Sequence, residues 1–468
     1  MEFIDQQSEL QQLVHDILKE ARQQGADQAE VSVSAEEGLG VSVRKGELEN
    51  LEFNQDRGFG ITLQFGQRRG SASTTDSSSS AIKETVAAAK NIARFTEDDP
   101  YCGLPDPQLM PKQAVDLDLY HPWALSADAA QQLAIECEAA GLQVDSRIVN
   151  SDGAQVGTQQ GIRVYGNSHG FVGSYASTRH SVSCVLIGED DQGMQRDYWY
   201  TVARNAADLE DGIKVGAKAG ERTVARLAPR KAPTGSFAIV LAPQLAGGLI
   251  GHLLSAISGD AQYRKASFLL NCLGEQILPD WLSLQEAPLL PGSLGAAYFD
   301  ADGVATRDNC FVNQGVLQSY VLSEYSARKL QLQTTANAGG VHNLSLVGPA
   351  VSQQQLFKEL DTGLYICELM GQGVNGVTGD YSRGAAGYWV ENGEIAYPVD
   401  EFTIAGNLRD MLKNIVSMGD DVDLRGNVRA PSMLLSPMTV VGMCSSNRVV
   451  QVINNDQYMM LGKHLLFV

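Results

Sequence analysis

Leu10, Leu13, Val14, Ile17 and Leu18 follow the i, i+3, i+4, i+7, i+8 spacing of one helix face, which predicts an opening amphipathic helix ending near Gly25. The period then changes. "EVSVSAEE", "GVSVRKG", "ELENLEF" and "FGITLQF", the last with Phe59, Ile61, Leu63 and Phe65 at every second position, predict half-buried antiparallel strands. Helical spacing returns at Ile82, Val86 and Ala93, after "DSSSS", which offers N-caps. Residues 1–98 thus read as helix, meander, helix.

Residues 99–125, rich in Pro and Asp, read as a punctuated connection. A helix follows, capped by Ser126 and stopped at Gly141. Residues 147–191 predict several short strands separated by Asp-Gly, Gln-Gly and Asn-Ser turns, and "DLEDGIKVGAKAGERTVARL" predicts a helix. "APRKAPTG" reads as an interdomain hinge, closing a first domain over residues 1–230, with 126–230 as its strand-rich part. A second domain over 231–442 begins with the apolar strand "SFAIVLAP" and predicts hairpins turning at Asp302-Gly303, Gln314-Gly315 and Asn392-Gly393. Strands joined by tight turns rather than by helices place the fold in the α+β class, with two domains of mainly antiparallel sheets and flanking helices.

The length of 468 residues fits more than one hydrophobic core. With 35 basic against 55 acidic residues, the formal charge of -20 repels phosphate backbones and anionic lipid, so direct nucleic-acid binding is not expected. The apolar stretch from Leu241 to Gly259 is interrupted by Pro243, Gln244 and His252, which suits a buried segment better than a membrane span. No basic, apolar leader opens the chain, and the seven cysteines (Cys102, Cys137, Cys184, Cys272, Cys310, Cys367 and Cys444) form no CxxC pair. A cytoplasmic protein with reduced thiols is the expectation.

Candidate chemistry is sparse. "GQGVNG", which contains Gly371, Gln372 and Gly373, matches GxGxxG, but the glycine-rich "VTGDYSRGAAG" that follows is a poor start for the helix a dinucleotide site needs. Its glycines fit close backbone approach instead. In "GGLIGHLLSAISGDAQYRK", His252 sits mid-helix, followed by Leu253, with Ala256 and Ile257 four and five residues on, so neither a second ligand nor a base is supplied locally. A metal there would need distant donors such as Asp260 or Cys272; the alternative is a packed core or interface histidine. His342, in the glycine-rich "NAGGVHNL", poses the same choice. In "GDYSRGAAGYWVENG", Asp380, Tyr381, Ser382 and Arg383 support either an Asp–Arg pair in a turn or a peptide-docking edge. With His252, His342, Gly371, Gln372 and Gly373 they are the candidate lining of a substrate cleft.

Longer segments carry a resemblance. "ISGDAQYRKASFL", "LGEQILPDWL", "SEYSARKL", "NAGGVHNL", "ELMGQGVNGVTGDYSRGAAGYWVENGEIAYPV" and "IAGNLRDMLKNIV" resemble the TldD/PmbA metalloprotease family, from the first helix to Gly442. The resemblance implies a cytoplasmic heterodimeric zinc protease acting on unfolded and short peptides, including peptide-antibiotic precursors and a labile antitoxin. It also implies that a TldD-type partner carries an HExxxH zinc motif. That motif falls where this chain has "GHLLSAI", which supplies neither its glutamate nor its second histidine. The resemblance therefore implies a non-metal-binding subunit with no catalytic or metal residue of its own, zinc residing in the partner. Two rivals are a non-proteolytic regulator, as in the family's association with DNA gyrase, and a self-sufficient homodimeric hydrolase. Residues 443–468 have no expected counterpart and are predicted to pack little of the core.

Overall fold

The structure, a computed structural model, describes residues 3–442; the expectation for the 443–468 tail lies outside them. The first half comprises α1 (Gln6–Gln23), β1 (Gln28–Arg44), β2 (Glu47–Phe65), β3 (Arg68–Thr74), α2 (Ser79–Phe95), α3 (Ala127–Leu142), β4 (Ile148–Asn167), β5 (Val172–Asp190), β6 (Gly193–Ala203) and α4 (Gly212–Ala225). Its strands form one antiparallel sheet in the order β3-β2-β1-β4-β5-β6. On β1 every second residue packs under helices. Val31, Val33 and Ala35 lie beneath α1 and α2, and Val41 and Val43 beneath α3 and α4.

Several short strands are predicted where the chain forms a few long ones. β1 runs unbroken through Gly38 and Gly40, and β4 through Gln160-Gly161, because neighbouring strands on both sides hold the backbone extended. Asp152-Gly153 makes a bulge rather than a turn: the register with β5 shifts there, and Gly153 has φ +108°. Its missing Cβ would stand 2.6 Å from the Val43 carbonyl oxygen. Gly141 does not simply stop α3. It lies inside the last turn, where a Cβ would meet the Gly216 carbonyl of α4 at 2.7 Å.

The second half comprises β7 (Arg230–Lys231), β8 (Gly235–Leu241), α5 (Pro243–Ala256), α6 (Gly259–Tyr263), β9 (Ser283–Glu286), β10 (Asn309–Asn313), β11 (Val316–Leu317), α7 (Glu324–Leu330), β12 (Leu344–Val347), α8 (Gln353–Leu360), β13 (Gly363–Met370), β14 (Asp380–Glu391), β15 (Glu394–Asn407), α9 (Leu408–Lys413), β16 (Ile415–Met418), β17 (Val428–Arg429) and β18 (Met433–Gly442). The predicted turns at Gln314-Gly315 and Asn392-Gly393 close the β10–β11 and β14–β15 hairpins, all four residues having positive φ. The segment read as a hinge contributes β7, which adds to β15 in parallel.

The larger sheet closes on itself. β18 pairs β8, β8 pairs β13 in parallel, β13 pairs β14, β14 pairs β15, and β15 returns to β18. β8 is apolar on consecutive residues because both its faces are covered: Ile239 and Leu241 join the main core, while Val240 meets Leu356, Phe357 and Leu360 of α8. A smaller sheet runs β11-β10-β9-β12-β17. The two halves meet through Tyr165, Phe171 and Tyr175 against Tyr298 and Phe299. Among the described residues, no helix is long and apolar enough to cross a membrane.

Candidate functional site

α5 follows β8 directly, starting at Pro243, whose fixed φ suits a first helical position. Ala246, Leu249, Ile250, Leu253 and Ala256 bury one face of it in the main core. His252 lies off that face, half-buried, one turn from exposed Gly248 and Ser255. Among the described residues, a Cβ added at Gly248 or Gly251 would meet nothing within 4 Å, so they leave the helix surface beside the imidazole open.

β14 supplies the other wall. Tyr381 and Arg383 share one face of the strand by its two-residue period, and Asp380 and Ser382 point the other way. The buried Tyr381 ring meets His252 edge-on, centroids 6.1 Å apart. Burial lowers the His252 pKa, and the nearby Arg383 cation lowers it further, keeping the imidazole neutral at neutral pH. Burial raises the Tyr381 pKa, against the opposing effect of Arg383 charge and hydrogen bonding. Among the described residues, Arg383 Nε is buried with no acceptor. Residues about 130 apart in sequence thus form one cluster of imidazole, phenol and guanidinium.

Neither reading of the Asp380–Arg383 segment survives unchanged. The Asp380 carboxylate accepts a hydrogen bond from Thr378 Oγ1 at 2.7 Å, so it is a local turn contact and not an Asp–Arg pair. Nor is there a free edge: residues 380–383 pair with β15 on one side, while Val374 and Gly373 pair with Tyr381 and Ser382 on the other. Gly373 permits this approach, since a Cβ there would lie 1.9 Å from the Ser382 carbonyl oxygen. Gly371, Gln372 and Gly373 form the exposed loop between β13 and β14, and β14 follows that loop instead of a helix, which removes the helix N-terminus a dinucleotide requires.

His342 belongs to a separate place. Its Nδ1 lies 3.2 Å from the Gly295 carbonyl, its backbone N–H donates to Glu286, and burial lowers its pKa. Glu286 is pushed up to about 7 by burial, although Asn309, His342 and Asn337 donate to it. The two distant donors considered for His252 are engaged elsewhere: Cys272 Sγ accepts from Arg409 at 3.4 Å, and Asp260 lies 3.8 Å from Arg264. Among the described residues, no three His, Cys, Asp or Glu side chains converge as a metal site. The surroundings of His252 do not fit zinc, because they offer a single imidazole beside a guanidinium cation that opposes a second positive charge.

One group has no counterpart in the sequence reading. Glu30 of β1, raised to about 7 by burial and by the nearby Asp302, accepts from Tyr165 Oη at 3.0 Å. Asp300 is likewise raised to about 7, burial acting first and Asp302 second. Glu30 meets Asp302 only through the fold, and it stands in an otherwise ordinary alternating strand.

Comparison with known proteins covers most of the chain. Three models of one family match, described as PmbA/TldA metallopeptidase domain 1 (residues 29–93), central domain (120–227) and C-terminal domain (234–442). "Metalloprotease PmbA" of Escherichia coli O157:H7 is 50% identical over 89% of this chain and 93% of its own. A "Metalloprotease PmbA homolog" of Haemophilus influenzae is 46% identical over 93% and 97%. A Bacteroides thetaiotaomicron crystal structure, named for a modulator of DNA gyrase, superposes with TM-score 0.88 at 28% identity, covering 93% of this chain and 99% of that one.

Proposed function

Because the chain belongs to the PmbA/TldD metallopeptidase family, we propose that it is the non-metal-binding subunit of a heterodimeric zinc peptidase, shaping the cleft and holding peptide for a TldD-type partner. The observation that carries this reading is Arg383: among the described residues its buried Nε lacks an acceptor, beside His252 and Tyr381 and next to a helix surface left open by Gly248 and Gly251. An unmatched buried donor costs about 1–3 kcal/mol. A turn of the half-buried Arg383 side chain would carry its donors to a peptide carbonyl or terminal carboxylate laid along α5, the neutral imidazole and the phenol flanking the same chain. Unfolded and short peptides suit this cluster because extended chain exposes its carbonyls. Zinc, supplied by the partner, would polarise the scissile carbonyl; the residues here bind and orient.

The test is reconstitution with a TldD-type subunit in the cytoplasm-like, reducing buffer that seven cysteines call for. Cleavage of an unfolded peptide is expected only in the mixture, with no stoichiometric zinc in this chain by elemental analysis. Tight zinc binding abolished by His252→Ala would overturn the reading, and peptide cleavage by the isolated chain would favour the homodimeric hydrolase. A second reading, regulation of gyrase without proteolysis, is supported by the name of the Bacteroides relative. It predicts altered supercoiling by purified gyrase in the presence of this chain alone.

A further inference from the structure

β2 is longer than the strand that covers it. β3 pairs only with Phe59–Phe65, whereas β2 continues back to Glu47 along β1. Among the described residues no strand lies on the other side of residues 47–58, which leaves an open edge roughly 40 Å long at 3.3 Å per residue. Residues 47–56 are exposed along this edge, and the second half touches the first sheet elsewhere, at Arg69 of β3, Tyr165 of β4 and Gln195 of β6.

Exposed edges of this length are ordinarily blunted. Here one face carries Leu48, Leu51 and Phe53, exposed by 43%, 50% and 69%. They pair across with Val43, Val41 and Leu39, so they extend the apolar surface that α3 covers further in. On the same face lies a cleft of about 170 Å³ with walls from Leu39, Phe53, Trp123, Leu125, Thr158 and His180. A cavity of about 150 Å³ accommodates a benzene ring. The His180 wall is set in place: Nδ1 lies 2.8 Å from Thr158 Oγ1, Nε2 lies 2.9 Å from the His121 carbonyl, and the ring stands edge-on to Trp123.

Charge selects the occupant. Glu47, Glu49, Glu52 and Asp56 lie along the edge, while Arg57 is engaged by Glu9 and Arg44 by Glu49. Two copies pairing here in antiparallel fashion would set these acids against each other, on chains of formal charge -20 each. We propose that the Glu47–Gly58 edge of β2 binds an extended segment of a different protein, alternating basic and apolar residues, which adds as a further strand and sends one large apolar side chain over Phe53 into the cleft. The inference is independent of the cluster at His252.

Fluorescence anisotropy on the full chain tests it with three short labelled peptides: one alternating Lys with Leu and Phe, one with Glu replacing Lys, and one with the first sequence but alternate backbone amides N-methylated. The first is expected to bind at least roughly tenfold more tightly than the other two, and less tightly as salt rises. Leu51→Lys with Phe53→Lys should weaken it at least roughly tenfold, whereas Phe95→Lys, at an exposed site elsewhere, should not. Equal binding of the N-methylated or acidic peptide, no binding of the first, or indifference to the double variant would overturn the proposal. So would a concentration-dependent dimer in sedimentation that the double variant dissolves, which would assign the edge to a second copy. The peptide comparison uses the unmodified chain and stands even if the double variant fails to fold.

Discussion

Arg383 gives the residue scale its sharpest test, because binding and stability pull apart there. Its guanidinium adds to burial in lowering the His252 pKa and, among the described residues, carries a buried Nε without an acceptor. A residue retained for packing would lose stability when truncated; one retained for a ligand would not. Arg383→Met keeps the length of the stem and removes the donors. In the reconstituted mixture it should raise KM for an unfolded peptide roughly tenfold, about 1.4 kcal/mol, with kcat little changed and the melting temperature lowered by no more than the loss of its hydrogen bond to Tyr381 accounts for. A lowered melting temperature with KM intact would make Arg383 a structural residue. Both His252 and Arg383 stood out in the sequence, one as a lone imidazole and one within "GDYSRG". Their meeting was not legible, since it depends on α5 and β14 flanking the same core. The turn and docking readings of "GDYSRG" are not separable in sequence for a related reason: pairing with β15 and with the Gly373 loop decides which way each side chain faces.

Elements were legible where their cause is local. α1 buries Leu10, Leu13, Val14 and Ile17 as its spacing dictates, and Asn392-Gly393 turns because both residues accept positive φ. Glycines inside strands misled for the opposite reason: Gly38 and Gly161 carry turn chemistry, yet their neighbours on both sides supply ladder hydrogen bonds that an isolated segment lacks. The sequence carries a usable signal in "GIKVGAKAG", where Gly212, Gly216 and Gly220 form a stripe at four-residue spacing. α3 and α4 touch along it, and a Cβ at Gly216 would sit 1.8 Å from the Cys137 carbonyl oxygen. Backbone cannot yield as a side-chain tip can, so Gly216→Ala must separate the helices. It is expected to cost about 1–3 kcal/mol in chemical denaturation despite alanine's better helix propensity. A gain in stability would mean that the helices are less closely apposed than described. Residues 443–468 permit a test from the other end: β18 completes its pairing with β15 at Phe402–Gly442, so truncation after Gly442 should leave the melting temperature within about a degree or two.

At the scale of the whole molecule, the contact between halves carries an acid pair that no single element explains. Glu30 comes from β1 of the first sheet and Asp302 from a turn of the second half, and Tyr165 Oη bonds both the Glu30 carboxyl and the Asp302 carbonyl. Burial comes first in raising Glu30 to about 7, with the Asp302 charge second. An unfolded glutamate ionises near 4.5, so between about pH 4.5 and 7 the folded chain holds a proton that the unfolded chain has released, and stability falls as pH rises through that window. Above it the folded chain carries an ionised Glu30 in a site that disfavours the charge. Glu30→Gln keeps an acceptor for Tyr165 and cannot ionise. The variant should match the parent near pH 4.5 and melt a few degrees higher at pH 8, with a shallower decline between. Because the group sits between the halves, the gain should appear as tighter docking: slower protease cleavage of the 99–125 connection at pH 8, where Asp99 also binds Tyr325 of α7. A parent melting temperature that is flat from pH 5 to 8, with no gain in the variant, would place the Glu30 carboxyl in water and leave the aromatic contacts of Tyr165, Tyr298 and Phe299 to hold the halves together.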